Sequence, residues 1–207
     1  MENKQLNRGA GVLMPISSLP SSYGIGTIGA AAYSFVDMLV DLKQRYWQIL
    51  PIGPTNFGNS PYQPVSAFAG NNYLIDLDAL VADGLLTLDE IRSVNWGNND
   101  EDIDYASMYT NRTKILRIAF SRFDITSNAY EEFVQNNHYW LDDYALFRAL
   151  KKYHNDKEWT LWENCYKNRE PKALEAISQE LAESIEFYKF CQFEFFFQWQ
   201  KLLSYAN

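Results

Sequence analysis

A strand–helix–strand pattern at the start of the chain is the feature that most limits its fold. Residues 10–16 form an apolar run that is typical of a buried strand. Apolar side chains then recur at helical spacing in residues 28–45, and residues 46–52 form a second apolar run. Two strands joined by one helix within about forty residues predict a βαβ unit with parallel strands and a right-handed crossover. The predicted fold class is therefore α/β.

Three glycines between the first apolar run and the helix match G-x-G-x-x-G, at Gly24, Gly26 and Gly29. In a dinucleotide-binding turn the first glycine follows the strand directly. Here a polar segment that contains Pro20 separates the apolar run from the glycines. The favoured interpretation is that the glycines shape a loop and a helix entry, for which Thr27 is the predicted N-cap.

Composition and charge exclude several classes of function. The net charge of −8 argues against a nucleic-acid partner. No apolar run reaches the length of about 18 residues that a membrane span needs, and the N-terminus lacks an apolar signal segment. Two cysteines, Cys165 and Cys191, are too few for a disulfide framework. We therefore expect a cytoplasmic protein with no membrane partner.

Residues 53–77 predict a long irregular loop after the second strand. The segment is rich in glycine, proline, asparagine and aromatic residues. Long loops in compact domains are uncommon and tend to be functional. In parallel α/β folds, loops at the carboxyl ends of strands lie on the side where ligands bind. We therefore expect the functional residues in this loop.

The remainder of the chain, from Leu85 onward, predicts helices. Thr87 and Glu90 have the spacing of a capping box. Further helices are predicted at residues 105–123, 129–136, 139–154 and 171–205. The last helix is apolar on every side, which is typical of a buried helix, and no later segment of the chain covers it. We therefore expect either a second chain against this helix or a truncated sequence.

The inventory of reactive residues does not define an active site. His138 and His154 lie apart, without a cluster of metal-ligating neighbours, so we expect no metal and no cofactor. The sequence contains no G-x-S-x-G nucleophile elbow and no phosphate-binding loop. Adjacent acidic residues are explained as solvated helix faces and caps. The aromatic content of 16% slightly favours carbohydrate binding over other ligands.

Four segments carry a resemblance to a known family. They read, in order, GVLMPISSLPSSYGIGTIG, RYWQILPIGPT, SPYQPVSAFAGNNYLIDL and QWQKLLSYA. Together they resemble the 4-α-glucanotransferases of glycoside hydrolase family 77, also called amylomaltases or disproportionating enzymes. The resemblance implies an incomplete (β/α)8 TIM barrel with a mainly helical insertion. Residues 1–84 would hold its first two strands and an active-side loop, residues 85–185 the helical insertion, and residues 186–207 a helix that returns to the barrel.

The resemblance also implies an activity and a partner. Such enzymes cleave an α-1,4-glucan (a maltooligosaccharide), hold a covalent glycosyl intermediate and pass the sugar to the 4-hydroxyl of an acceptor. The catalytic carboxylates of the family lie on later barrel strands, and no segment here matches their motifs, so no catalytic residue is assigned. We expect an N-terminal fragment that needs the missing C-terminal barrel half. The alternative is a non-catalytic maltodextrin-binding or interaction module.

Three residues are the expected substrate contacts by the same resemblance. Tyr62 matches the tyrosine that stacks on the donor sugar beside the scissile bond. Ser60 matches a polar contact in the same groove. Phe57 lies where relatives often carry a tyrosine at a remote glucan-binding site, so the stacking ring is kept and the hydroxyl is lost.

Overall fold

The computed structural model of the chain describes residues 8–55, 58–97 and 102–207. These residues form two strands, eight α-helices and three short 3-10 turns. The strands are β1 (Gly11–Leu13) and β2 (Tyr46–Gln48). The helices are α1 (Ala30–Asp41), α2 (Leu77–Ala82), α3 (Leu88–Arg92), α4 (Tyr105–Arg122), α5 (Asn128–Tyr153), α6 (Asn164–Lys167), α7 (Pro171–Glu180) and α8 (Ala182–Ala206). The 3-10 turns are Ile16–Ser18, Asn72–Leu74 and Trp159–Leu161.

The predicted β1–α1–β2 unit is confirmed. The two strands pair in parallel, with Gly11 opposite Tyr46 and Leu13 opposite Gln48. Both strands are shorter than predicted, and they are not buried: the Leu13 side chain is 54% exposed. Within the described residues the sheet has two strands, so the outer edge of each strand is not paired with another strand. Burial on both faces would require neighbouring elements that these residues do not supply.

The glycine motif serves close packing. Gly24 has φ +76°, a left-handed conformation that glycine adopts readily. A Cβ atom on Gly29 would overlap the carboxylate of Asp76. The prediction that Thr27 caps α1 is wrong: the N-cap is Gly29. The Thr27 hydroxyl instead donates to Asp76 Oδ2 at 2.7 Å, and the helix begins two residues later than a cap at Thr27 would require.

Helix α8 is the centre of the helical part of the structure. It packs along α5 and also contacts α1, α4 and α7. Phe187, Phe190 and Phe195 are each at most 1% exposed, as expected for a helix that is apolar on every side. Much of its cover comes from helices that precede it in the chain, which the sequence interpretation did not consider. Phe197 remains 41% exposed.

Two predicted helix boundaries differ from the structure. Residues 128–153 form one helix, although a break near residue 137 was predicted. Asn137, which is a weak helix former, donates from Nδ2 to the carbonyl of Phe133 at 2.8 Å and so stays within the helix. Conversely, the predicted helix 171–205 is divided at Leu181, whose φ of −97° and ψ of 15° separate α7 from α8.

Side-chain caps define two short helices that follow the long loop. The predicted capping box is present: Thr87 Oγ1 accepts from the amide of Glu90, and Glu90 accepts from the amide of Thr87. Helix α2 was not predicted. Its N-cap is Asp76, whose Oδ1 accepts from the amide of Ala79 at 2.9 Å. The signal in the sequence was therefore an Asp immediately before the run Leu77–Ala82.

Across the described ranges, no helix combines the length and apolarity required to cross a membrane. The same residues contain no group of three or more His, Cys, Asp or Glu side chains with a geometry that could hold a metal ion. Cys165 and Cys191 are both free thiols, and burial raises the pKa of Cys191 well above its ordinary value.

Candidate functional site

The segment 53–76, here called the aromatic loop, is held near its start by two backbone hydrogen bonds from later residues of the loop. The amide of Asn71 donates to the carbonyl of Ile52 at 2.8 Å, and the amide of Val65 donates to the carbonyl of Pro54 at 3.2 Å. These bonds fold the loop back toward residues 52–54, a few residues after β2. The loop therefore projects from the carboxyl end of a parallel strand, where the sequence predicts functional residues.

Two buried glutamines of α8 fix the second half of the aromatic loop. Gln192 Oε1 accepts from the amide of Gly70 at 2.7 Å, and its Nε2 donates to the carbonyl of Gly70 and to Asn72 Oδ1, both at 3.0 Å. Gln198 makes the same two-way contact with Asp76. Both glutamine side chains are buried. The position of the loop is therefore set by a helix that lies more than a hundred residues later in the sequence.

A buried arginine of α4 adds a third support. Arg112 Nη2 donates to the carbonyl of Tyr73 at 2.7 Å and also to the carbonyl of Ile75. Arg112 is 1% exposed, and burial lowers its pKa to about 10. The guanidinium therefore stays charged at neutral pH. Sequence reasoning missed Arg112, Gln192 and Gln198, although each places a polar side chain within the apolar stripe of its helix.

Tyr62 and Ser60, two of the three predicted contact residues, form one small turn on the aromatic loop. The amide of Tyr62 donates to Ser60 Oγ at 3.3 Å, and the amide of Gln63 donates to the carbonyl of Ser60 at 3.3 Å. The Tyr62 side chain is 69% exposed. The turn holds the backbone and presents the ring to solvent, as a stacking surface requires. Phe57, the third predicted residue, lies outside the described residues.

A second serine turn in the same loop presents a second ring. Ser66 Oγ accepts from the amides of Phe68 and Ala69 at 3.2 and 3.1 Å. Phe68 is 56% exposed and makes an edge contact with Tyr139 of α5, with ring centroids 5.7 Å apart. It also stacks with Trp140 at 6.2 Å. Among its described residues the loop therefore displays two exposed rings, Tyr62 and Phe68, and the prediction did not name Phe68 as a site residue.

A cavity of about 560 Å³ lies between the base of the aromatic loop and helices α4, α5 and α8. Tyrosine and asparagine side chains form much of its wall, and three basic residues and one acid also contribute. They are Asn59, Asn71, Asn72, Tyr73, Tyr105, Tyr109, Tyr144, Tyr188, Arg112, Arg148, Lys151 and Asp156. Neither Tyr62 nor Ser60 lines it. The structure thus separates the exposed Tyr62 ring from the cavity at the base of the loop.

The acids of the described residues do not form a catalytic pair in a cavity. Retaining cleavage of a glycosidic bond uses two carboxyl groups about 5–5.5 Å apart. Asp156 is the one acid among the described residues that line the cavity at the loop base. A second cavity of about 770 Å³, beside the glycine loop, has Asp102 as its one acid among the described residues.

Comparisons with known proteins cover nearly the whole chain. The sequence profile of glycoside hydrolase family 77, described as 4-α-glucanotransferase, matches residues 14–207. The 4-α-glucanotransferase of Streptococcus pneumoniae is 46% identical over 203 residues, which are 97% of this chain and 40% of that protein. The 4-α-glucanotransferase of Thermus thermophilus is 40% identical over 208 residues, which are 98% of this chain and 41% of that protein.

A solved structure gives the same result. The amylomaltase from Streptococcus agalactiae in complex with acarbose superposes with a TM-score of 0.93 at 39% sequence identity. The match covers 97% of this chain and 41% of that one, so the chain spans about two fifths of the length of the relatives it matches. The family profile, the sequence alignments and the structural superposition each cover nearly the whole chain and indicate the same family. The chain belongs to glycoside hydrolase family 77, the family of the 4-α-glucanotransferases.

Proposed function

We propose that this chain is part of a 4-α-glucanotransferase that transfers segments of α-1,4-glucan by retaining double displacement. The observation that carries the proposal is the superposition of nearly the whole chain on an amylomaltase solved with acarbose. The reaction needs a carboxylate nucleophile and a second carboxyl that acts first as acid and then as base. In this proposal both come from the three fifths of the family's length that the chain does not span.

The β1–α1–β2 unit would be the beginning of a (β/α)8 barrel. In such barrels the loops at the carboxyl ends of the strands build the active site. The aromatic loop follows β2 and has the corresponding position. We propose the division that the sequence suggested: residues 1–84 as the first strands with this loop, 85–185 as a helical insertion, and 186–207 as a helix that returns to the barrel. The exposed strand Gly11–Leu13 supports a further strand or helix against the sheet.

The chain's contribution to catalysis would be to hold sugar rings. Tyr62 is exposed and is oriented by the turn at Ser60, so its ring could support the donor sugar as that sugar flattens toward an oxocarbenium ion. Ser60 Oγ accepts from the Tyr62 amide, and its hydroxyl hydrogen would donate to a sugar hydroxyl. Phe57 would offer a ring without a hydroxyl at a more distant glucan contact. The substrates would be neutral maltooligosaccharides, and no cofactor is required by this chemistry.

The test is an assay with maltotriose, performed with the chain alone and with a separately expressed segment covering the remaining three fifths of the Streptococcus pneumoniae relative. We expect the chain alone to release no glucose, and the two segments together to release glucose and form longer maltodextrins. Transfer by the chain alone would contradict the assignment of the catalytic carboxylates. A mixture that binds maltodextrin but never transfers it, despite a folded complex, would favour the binding-module alternative.

A further inference from the structure

Phe68 and Tyr139 form an exposed corner of two aromatic rings, here called the ring corner. Their centroids lie 5.7 Å apart and the ring planes meet at 84°. Phe68 is 56% exposed and Tyr139 is 66% exposed. Phe68 belongs to the aromatic loop and Tyr139 to α5, and neither residue lines the cavity at the base of the loop. The ring corner is therefore a separate surface that the tertiary structure assembles.

The Phe68 ring is supported from behind. It stacks on Trp140, which is buried, with ring centroids 6.2 Å apart and planes inclined by 20°. Trp140 is fixed in turn because its Nε1 donates to Asn137 Oδ1 at 3.0 Å. The turn at Ser66 holds the backbone, since Ser66 Oγ accepts from the Phe68 amide at 3.2 Å. A ring held in this way loses little conformational freedom when a ligand stacks on its open face.

The rim of the ring corner is polar. Gln135 and Asn136 are exposed and lie one turn before Tyr139 on the same side of α5. A side-chain amide offers donors and an acceptor at once, as the neighbouring hydroxyls of a sugar require. Asp142 and Asp143, one turn after Tyr139, are each in an ion pair, so these carboxylates are already neutralised. The rim therefore suits an uncharged ligand with hydroxyl groups.

The size of the ring corner matches a sugar better than a protein. A whole aromatic side chain offers about 150–250 Å², and each of these two is little more than half exposed. Together they present on the order of 200–300 Å² of surface. Stable protein interfaces bury about 800 Å² on each partner. A ligand of one or two sugar units would cover the ring corner.

We propose that the ring corner is a stacking subsite for two successive units of an α-1,4-linked glucan. Each sugar would lay its apolar face on one aromatic ring, and the amide rim would bind its hydroxyls. An α-1,4-glucan is curved, because each axial linkage turns one unit relative to the next, whereas a β-1,4-glucan is an extended ribbon. Two rings at 84° fit the curved chain. The inference rests on the proposed function for its ligand and adds contacts that the resemblance did not name.

The experiment is an NMR titration of the ¹⁵N-labelled chain with maltopentaose and with cellopentaose. The chain has six tryptophans, and the indole N–H signal of Trp140, assigned with Trp140→Phe, reports on the ring that lies behind Phe68. We expect maltopentaose to shift this signal. Cellopentaose should bind about fivefold or more weakly, because its flat chain can stack on only one of the two rings.

Tyr139→Ala should weaken the maltopentaose affinity read from the Trp140 signal by about fivefold or more, since it removes one stacking surface. Phe68→Ala should have a similar effect and serves as the second variant. Tyr139→Phe keeps the ring and should bind within about twofold of wild type. Phe197→Ala is the matched control, because it removes a phenylalanine that is 41% exposed on α8, outside the ring corner.

Unchanged affinity in both alanine variants, or cellopentaose binding as tightly as maltopentaose, would overturn the proposal. If Phe68→Ala leaves glucan binding unchanged and weakens association with the separately expressed remaining segment, the ring corner is a contact between segments and the proposal is also overturned. Failure of the proposed function is distinguishable from these results, because it appears as absence of transfer in the two-segment assay. Failure of this inference alone leaves that transfer intact.

Discussion

Gln198 of α8 hydrogen bonds to both backbone groups of Asp76. Its Oε1 accepts from the Asp76 amide at 2.7 Å, and its Nε2 donates to the Asp76 carbonyl at 3.2 Å. The Asp76 side chain meanwhile accepts from Thr27 and caps α2. Asp76 thus joins the loop after β1, the aromatic loop, α2 and α8. The order of the aromatic loop depends on this arrangement.

Gln198→Ala should lower the free energy of unfolding by about 1–3 kcal/mol, because it leaves the buried amide of Asp76 without a partner. Urea unfolding followed by circular dichroism measures the change. Gln200→Ala is the matched control, since Gln200 is exposed on the same helix, and should change stability by less than about 0.5 kcal/mol. Equal losses in the two variants would contradict the role of Gln198.

Gly70→Ala should both destabilise the chain and displace the aromatic loop. A Cβ at Gly70 would overlap the ring of Phe195, which is itself buried in α8. Overpacking of this kind costs about 1–3 kcal/mol. Gly53→Ala, at the other end of the loop, is the comparison, because its Cβ would be 3.0 Å from Pro64 and needs a smaller adjustment. Thermal unfolding of both variants measures the difference, and a Gly70 variant as stable as wild type would contradict the packing.

Glu194 should make the stability of the chain depend on pH. It is 3% exposed, and burial raises its pKa to about 7, with Asp83 adding to the rise and Lys201 opposing it. In the unfolded chain the carboxyl ionises at its ordinary value of 4.5, while the folded chain still holds the proton. The contribution of Glu194 to the free energy of unfolding is therefore fully present below its unfolded pKa and is lost as the pH rises through its folded pKa. The loss is about 1.4 kcal/mol for each unit by which the folded and unfolded pKa values differ.

Glu194→Gln removes the ionisation and keeps the shape of the side chain. We compare the free energy of unfolding of the variant with that of wild type at two pH values. The difference should favour the variant by a few kcal/mol more at about pH 8 than at about pH 4.5. Urea unfolding at the two pH values measures the change. Glu175→Gln removes an exposed carboxylate of α7 and controls for the general loss of negative charge. Parallel pH profiles for wild type and the Glu194 variant would refute the assignment.

Tyr62→Ala should weaken maltodextrin binding by about tenfold and leave the free energy of unfolding nearly unchanged. The ring is 69% exposed, so its removal takes little packing from the core. Calorimetric titration with maltoheptaose and urea unfolding measure the two effects. Tyr153→Ala, which removes a tyrosine that is 47% exposed on α5, is the control. Unchanged affinity in the Tyr62 variant would remove this residue from the glucan contact.

The local elements were predictable because their signals lie close together in the sequence. Helical spacing of apolar residues predicts α1, and Thr87 with Glu90 predicts the start of α3. The parallel pairing of β1 and β2 follows from one helix between two apolar runs. The family resemblance added the positions of Tyr62 and Ser60, which the structure places together in one exposed turn.

The supports of the loop and the charged cavity were not predictable in this way. Gln192, Gln198 and Arg112 are polar residues in apolar helix faces, and the sequence does not reveal which distant backbone groups they meet. Likewise Arg148 and Arg112 approach one cavity because α4 and α5 both pack around α8. Neighbouring residues determined the helices, strands and turns. Which polar groups became partners was decided by the packing of segments far apart in sequence, because the cost of burying an unpaired donor depends on the complete fold.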